Sequence, residues 1–252
     1  MAGKIFLEKK YFQYHRFEFI ENDPISVPHR FSGKEDIEIA GFFSSVLAWG
    51  SRKISIQNSL KLMILMDHAP HDFILHHKLS ELKPFKKFVH RTFNGVDAVF
   101  FIQSLKNIYL RHNGMEDVFT NAFSKTDDAA IPISTFRKVF FSLPHQKRTE
   151  KHLPDPLTGS AAKRMNLFLR WMIRNDDAGI DFGIWKKIAP SKLICPLDVH
   201  SAANARRWGL LTRNQNDWKA AKELTDQLKK IDAADPVRFD YALFGEGVNK
   251  SQ

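Results

Sequence analysis

Cysteine is nearly absent from this chain, and chain-breaking residues are few. Among 252 residues there is one cysteine, Cys195, with 12 glycines and 11 prolines. One thiol forms no internal disulfide, and alone it supplies neither a thiolate zinc site nor a four-cysteine iron–sulfur cluster. The modest Gly and Pro content excludes a collagen-like, low-complexity or wholly disordered chain. No apolar run reaches the roughly 18–20 residues that cross a bilayer, so no membrane partner is expected. The first ten residues mix charge with Ile5, Phe6 and Leu7, which does not read as a secretory signal. His68, His71, His76 and His77 lie close together, but no acid or cysteine completes a ligand spacing. These absences lead to the expectation of a cytoplasmic monomer without metal or cofactor.

What is present is apolar bulk and positive charge. Hydrophobic residues make up 43% of the chain, 22 of them Phe, enough to fill one large core or two smaller lobes. Thirty-eight Lys and Arg stand against 28 Asp and Glu, a formal charge of +10. Such a surface favours polyanions through its field and through counterion release. Between Arg137 and Arg174 there are nine basic residues, opposed by Glu150 and Asp155 alone. No continuous apolar side accompanies them, so nucleic acid is favoured over a membrane surface. A plain solvated face is the alternative.

Helical periodicity dominates. Apolar stripes at helical spacing predict helices over 35–49, 52–66, 96–110, 115–123 and 131–141, with Ser32 and Glu35 spaced as a capping box and Asn113-Gly114 as a helix stop. Pro24 and Pro28 mark an extended connection over 22–33. Pro144, Pro154 and Pro156 mark a long loop or hinge over 144–159. The expected fold is all-α, with two helical lobes flanking a cleft. The N-terminal lobe covers 35–143. A basic C-terminal lobe covers 160–252, with 1–34 packing on it.

Two segments carry chemistry. In the first, Gly159-Ser160-Ala161-Ala162-Lys163, the lysine opens a helix whose Met165, Phe168, Leu169, Met172 and Ile173 form an apolar face. Lys163, Arg170 and Arg174 form a basic stripe on another. A lysine in a first turn stands against the helix dipole by roughly 0.3–1 kcal/mol, with Arg164 as a like charge beside it. It reads either as a solvated or phosphate-contacting side chain or as a tuned amine. In the second segment, Pro196-Leu197-Asp198-Val199-His200, Asp198 is placed to cap a helix starting at Val199, with Gly209 as its C-terminal stop.

Together these segments resemble the helix-hairpin-helix DNA glycosylase superfamily, in which a hairpin ends in a catalytic lysine and an aspartate follows in a Val-Asp-(Thr/Val)-His context. Gly159 falls four residues before Lys163, as in that family, whereas Ala161 stands where a second glycine is usual. The gap of 35 residues to Asp198 is closest to the archaeal oxoguanine branch. Residues 39–49 are similar to the helix that opens the glycosylase core, and 239–245 to the terminal helix of the oxoguanine-type branches. Trp49-Gly50-Ser51 departs from the usual Ser-Gln pair, and Phe244 replaces a tryptophan. The resemblance implies a DNA-repair glycosylase, with or without lyase activity, acting on an oxidised or otherwise altered base in duplex DNA. Lys163 is then the nucleophile and Asp198 the catalytic carboxylate. Trp49, Asp240 and Phe244 line the base pocket. Gly159, Ser160, Ala161, Arg164, Arg170, His200 and Arg206 contact phosphate. A non-catalytic DNA- or RNA-binding protein on the same scaffold is the alternative, and binding to DNA would place the protein on the nucleoid. The full sequence also resembles an uncharacterised, mainly bacterial family of unknown function, through Val27-Pro28-His29-Arg30-Phe31, Leu47-Ala48-Trp49-Gly50, the Lys163-to-Arg174 helix, Asp181-Phe182-Gly183-Ile184-Trp185 and Pro196-Leu197-Asp198-Val199-His200.

Overall fold

The computed structural model describes residues 2–249. It is mostly helical. In chain order the helices are α1 (Ala2–Tyr14), α2 (Lys34–Leu47), α3 (Arg52–Leu65), α4 (Pro70–His76), α5 (Gly95–Arg111), α6 (Met115–Phe123), α7 (Ala130–Phe140), α8 (Lys163–Ile173), α9 (Val199–Arg207), α10 (Trp218–Lys229) and α11 (Asp240–Asn249). Short 3-10 turns connect many of them, and β1 (Val89–His90) pairs antiparallel with β2 (Phe93–Asn94). Among the described residues no helix is long and apolar enough to cross a membrane. Contacts divide the chain into two units: Met1–Ile20, Asp127–Ala130 and Asp155–Gln252 in one, Glu21–Thr126 and Ile131–Pro154 in the other.

The second unit is built on phenylalanine. Every residue of α2 from Ile37 to Leu47 is buried, the signature of a helix enclosed on all sides rather than on one face. Phe42 stacks on Phe101 at 5.9 Å, Phe101 meets Phe140 edge-on at 4.7 Å, and Phe119 stacks on Phe136 at 4.6 Å. Such offset and edge-on geometry is what the aromatic quadrupole prefers. The start of α5 is pinned by Asp97, which accepts hydrogen bonds from the Asn94 N–H, Arg148 and Thr149. Two local expectations fail here. Residues 24–26 and 28–30 form 3-10 turns, not an extended strap, because Pro24 and Pro28 take the first helical position, where a missing N–H costs nothing. Helix α2 starts from Gly33 with no side-chain cap; Ser32 does not serve.

In the first unit α11 packs between α9 and α1. Side chains at two positions of α11 would block this. A Cβ at Gly245 would lie 2.4 Å from Cγ of Tyr14, and one at Gly247 would lie 2.7 Å from Cβ of His200. Between these glycines Glu246 accepts from Lys10 at 2.7 Å and Tyr14 at 2.9 Å, tying α1 to α11. The terminal Gly-Glu-Gly is therefore a helix-packing device.

Candidate active site

Helix α8 presents Lys163 from a locally fixed loop. Asp155 caps a turn over Pro156–Thr158, and Gly159 follows at φ +97°. The Gly159 carbonyl accepts the Trp218 N–H at 3.0 Å, and the Ser160 hydroxyl accepts the Ala162 N–H at 3.1 Å. The Ala161 carbonyl accepts from the Asn166 side chain at 3.0 Å. Ala162 is left-handed (φ +44°), a conformation that costs a non-glycine residue about 1 kcal/mol and persists only where surroundings enforce it. Lys163 is the next residue and the first of α8.

Asp198 arrives from a different element. Its backbone is extended at the start of α9, and its Oδ1 accepts the Ser201 N–H at 2.8 Å. The other oxygen, Oδ2, lies 3.3 Å from Nζ of Lys163. The two residues that the sequence separates by 35 positions thus form one ion pair. Its side chains are 30% and 15% exposed, half-sheltered but reachable. Burial works against the Asp198 charge, but the Lys163 ammonium and the capping N–H prevail and hold its carboxyl below the usual range.

Beneath this pair lies a buried charge network. Arg170, two turns along α8 from Lys163, is 4% exposed. It pairs with Asp240 and, at 3.3 Å, with Asp181, and its guanidinium stacks 4.3 Å from the Tyr241 ring centre. Arg174 continues the chain to Asp176 (2.8 Å), Asp181 (2.9 Å), Asp235 (2.7 Å) and the Tyr11 hydroxyl (2.8 Å). His15 closes it, 3.1 Å from Asp176. Burial is the largest influence on Asp240; with Asp198 and Asp181 as like charges it outweighs Arg170 and lifts the carboxyl to about 7. Cys195 is fully buried, and burial with Asp240 and Asp198 nearby pushes its thiol well above the ordinary range.

Residues 23–249 match the model of a family described as a protein of unknown function, DUF2400. The chain belongs to that family. No curated protein and no solved structure matches it, and no match links it to the helix-hairpin-helix glycosylases.

The remaining residues singled out in this family member fall into distinct settings. Arg170 was expected at a phosphate; it is instead buried and held by two aspartates. Asp240 is likewise engaged by Arg170 rather than open to a base. Phe244, one turn further along α11, is half-buried. Arg206 donates to the carbonyls of Arg213 and Asn214 at 2.9 Å each and braces that loop. The Gly159 and Ser160 N–H groups, expected at phosphate, donate to Pro156 and Asp155 carbonyls. The residues before them form a 3-10 turn, where a hairpin would have a helix. Ala161 is buried. Arg164 is half-buried, and burial lowers its guanidinium to about 10. His200 is exposed on the first turn of α9, beside Asp198. Trp49 belongs to the second unit, where the Arg91 guanidinium lies 4.7 Å from its ring centre.

The basic cluster over 137–174 is also less open than its sequence suggests. Arg137 pairs with Glu150, Arg148 with Asp97, Lys163 with Asp198, and Arg170 and Arg174 with buried aspartates. Sequence reading missed Asp235, Tyr11 and His15, and gave Asp181 no role beyond a family hallmark. The one signal available was the acidic run Asp176-Asp177 and Asp181 directly after a helix rich in arginine.

Proposed function

We propose that this protein is a DNA-repair glycosylase, with Lys163 as the amine nucleophile and Asp198 as the carboxylate that steadies the sugar. One observation carries the reading: the 3.3 Å approach of a solvent-reaching lysine at the start of one helix to an aspartate fixed as the cap of another. That arrangement supports the lysine and aspartate roles that the resemblance of the two segments implies.

The chemistry follows from the two groups. After passing a proton to solvent water, the Lys163 amine attacks C1′ of the damaged nucleotide. The new N–C1′ bond replaces the glycosidic bond, whose electrons leave with the base, and the base takes up a proton. Positive charge builds on the sugar as the base departs, and the Asp198 carboxylate, pre-oriented by the Ser201 N–H, opposes it. Opening of the sugar ring, with the ring oxygen taking up a proton, gives an imine; loss of a C2′ proton then expels the 3′ phosphate with the C–O electrons, which is β-elimination. The target base must leave the stack, at a cost of a few kcal/mol, before any of this occurs.

The test is borohydride trapping on duplexes carrying an abasic site, 8-oxoguanine, uracil or hypoxanthine, with wild type beside Lys163→Gln and Asp198→Asn. A covalent adduct lost in Lys163→Gln supports the proposal, and the substrate ranking names the lesion. Base release without an adduct moves the chemistry to Asp198 alone. Neither adduct nor base release on any of the four overturns the enzymatic reading and leaves DNA or RNA binding on the same scaffold.

A further inference from the structure

With much of the 137–174 cluster neutralised, a separate run of unopposed positive charge in the second unit stands out. From Leu82 to Val96 there is no acidic residue, while Lys83, Lys86, Lys87 and Arg91 are all exposed. None of the four forms an ion pair among the described residues. Lys83, Lys86 and Lys87 stand on or next to a 3-10 turn, Pro84–Lys87, that leads directly into the β1–β2 hairpin. Arg91 and Thr92 form its tip. Arg91 sits at φ +55°, a strained position for a side chain, yet it carries a guanidinium rather than a glycine hydrogen. Arg148, held by Asp97, donates to the Thr92 carbonyl at 2.7 Å and adds a further partly exposed cation beside the tip.

The charge borders a groove. A cavity of about 630 Å³ is lined by Lys86, Val96, Val99, Phe100, Pro144 and His145. Its floor is firm, because the Phe100 ring stacks on Phe141 at 5.6 Å with planes 2° apart and meets His145 at 5.0 Å. Its lip is apolar and open, with Val96 47% exposed. An apolar, aromatic-floored concavity edged by Lys86, with Lys83 and Lys87 adjoining it in sequence, suits a chain that offers alternating phosphates and uncovered bases.

We infer that the hairpin and the Pro84–Lys87 turn form a binding surface for unpaired nucleic-acid strand, with phosphates on Lys83, Lys86, Lys87 and Arg91 and a base in the groove over Phe100. A duplex offers the same phosphates but hides its bases, so it lacks the second half of the fit. This surface contains neither Lys163 nor Asp198 and goes beyond the catalytic reading; either stands if the other fails.

Fluorescence anisotropy with a labelled single-stranded 20-mer, its duplex and anionic phospholipid vesicles tests it on the full chain. The variants are Lys83→Gln/Lys86→Gln/Lys87→Gln/Arg91→Asn together, and Val96→Glu alone; both change exposed side chains, and circular dichroism checks their fold. Each phosphate contact on a single strand contributes about −0.7 to the slope of log K against log salt. The fourfold variant is expected to weaken single-strand binding at least tenfold at about 0.1 M salt and to flatten that slope by about 3. Val96→Glu is expected to weaken single strand more than duplex. Unchanged affinity and slope in the fourfold variant overturn the proposal. So does equal loss on duplex and single strand in Val96→Glu, or wild-type binding to vesicles but not to the oligonucleotides.

Discussion

Two aspartates of the first unit begin as near copies. Asp198 caps α9 with φ −115° and ψ −173°; Asp217 caps α10 with φ −117° and ψ −174°. Each accepts the N–H three residues on, at 2.8 and 3.0 Å, and each carboxylate also binds a cation. They diverge in what lies around them. The partner of Asp217 is Arg213, four residues before it and one-third exposed, a fork on a carboxylate at the surface. Asp198 takes its cation from another helix, far away in sequence, and stands over Asp240, Arg170 and Cys195. A cap bond supplies orientation in both cases. A candidate catalytic carboxylate arises only where that orientation coincides with a partner of remote origin and a buried polar floor.

The largest expected effect comes from breaking the floor. Arg170→Leu leaves Asp240 and Asp181 without their shared cation. Removing one partner of a buried ion pair costs about 3–5 kcal/mol. Urea unfolding should register a loss of that size, against a much smaller one for Arg213→Leu at the surface pair. Equal losses would mean that the network beneath Asp198 contributes no more than surface charge.

A second comparison uses pH. Asp240 is raised to about 7 by burial, with Asp198 and Asp181 adding to the shift. Between the ordinary carboxylate value and 7 the unfolded chain has released a proton that the folded protein keeps. Stability should therefore fall as pH rises through that window and level off above it, by at most about 4 kcal/mol. Asp240→Asn should remove this decline. Asp217, held at about 2 by the Arg213 hydrogen bond, behaves in the opposite sense: its contribution is present above the ordinary carboxylate value and lost as pH falls toward 2. Equilibrium unfolding between pH 3 and 8 separates the two, and a decline that survives in Asp240→Asn would assign it to another group.

Third in size is chemistry. In the trapping assay Asp198→Asn should slow adduct formation roughly 100-fold, since it keeps a competent cap but loses the charge. Asp217→Asn should stay within about twofold. The backbone at Asp217, not its carboxylate, holds the loop that presents Lys163, through the bridge with Ser160 and the Trp218 N–H on Gly159.

The same contrast marks how far sequence reading reaches. Elements whose signals are local came through: α2, α3, α5, α6 and α7 each lie within two residues of the bounds that periodicity predicts, and Asp198 caps α9 as expected. Lys163 and Asp198 do meet, although only a resemblance pointed to that. What failed depends on pairing across distance. Spacing on α8 places Lys163, Arg170 and Arg174 on one stripe, and the stripe exists, but Asp181, Asp235 and Asp240 fold over two of its three members. A single sequence displays the sign of a charge and not where its counter-charge will land. The β1–β2 hairpin was missed for a different reason. Strands of two residues carry no alternation, and its turn, Arg91-Thr92, has none of the usual Gly or Asn signals.

The smallest expected difference is also the most direct measure of the comparison: the coupling within each pair. Exposed pairs four residues apart are typically coupled by about 0.3–0.5 kcal/mol. A double-mutant cycle on Arg213→Met and Asp217→Asn should give the weaker coupling of the two. Lys163→Met with Asp198→Asn should give about 1 kcal/mol, because the pair is more sheltered and its carboxylate is already fixed by the helix it caps. Salt separates them further. At 1 M the screening length is about 3 Å, so the surface coupling should nearly vanish while the sheltered one keeps a larger share. Should the two couplings match in size and in salt response, the remote origin of Lys163 would confer no special environment on Asp198, and the resemblance of the two caps would extend to their electrostatics.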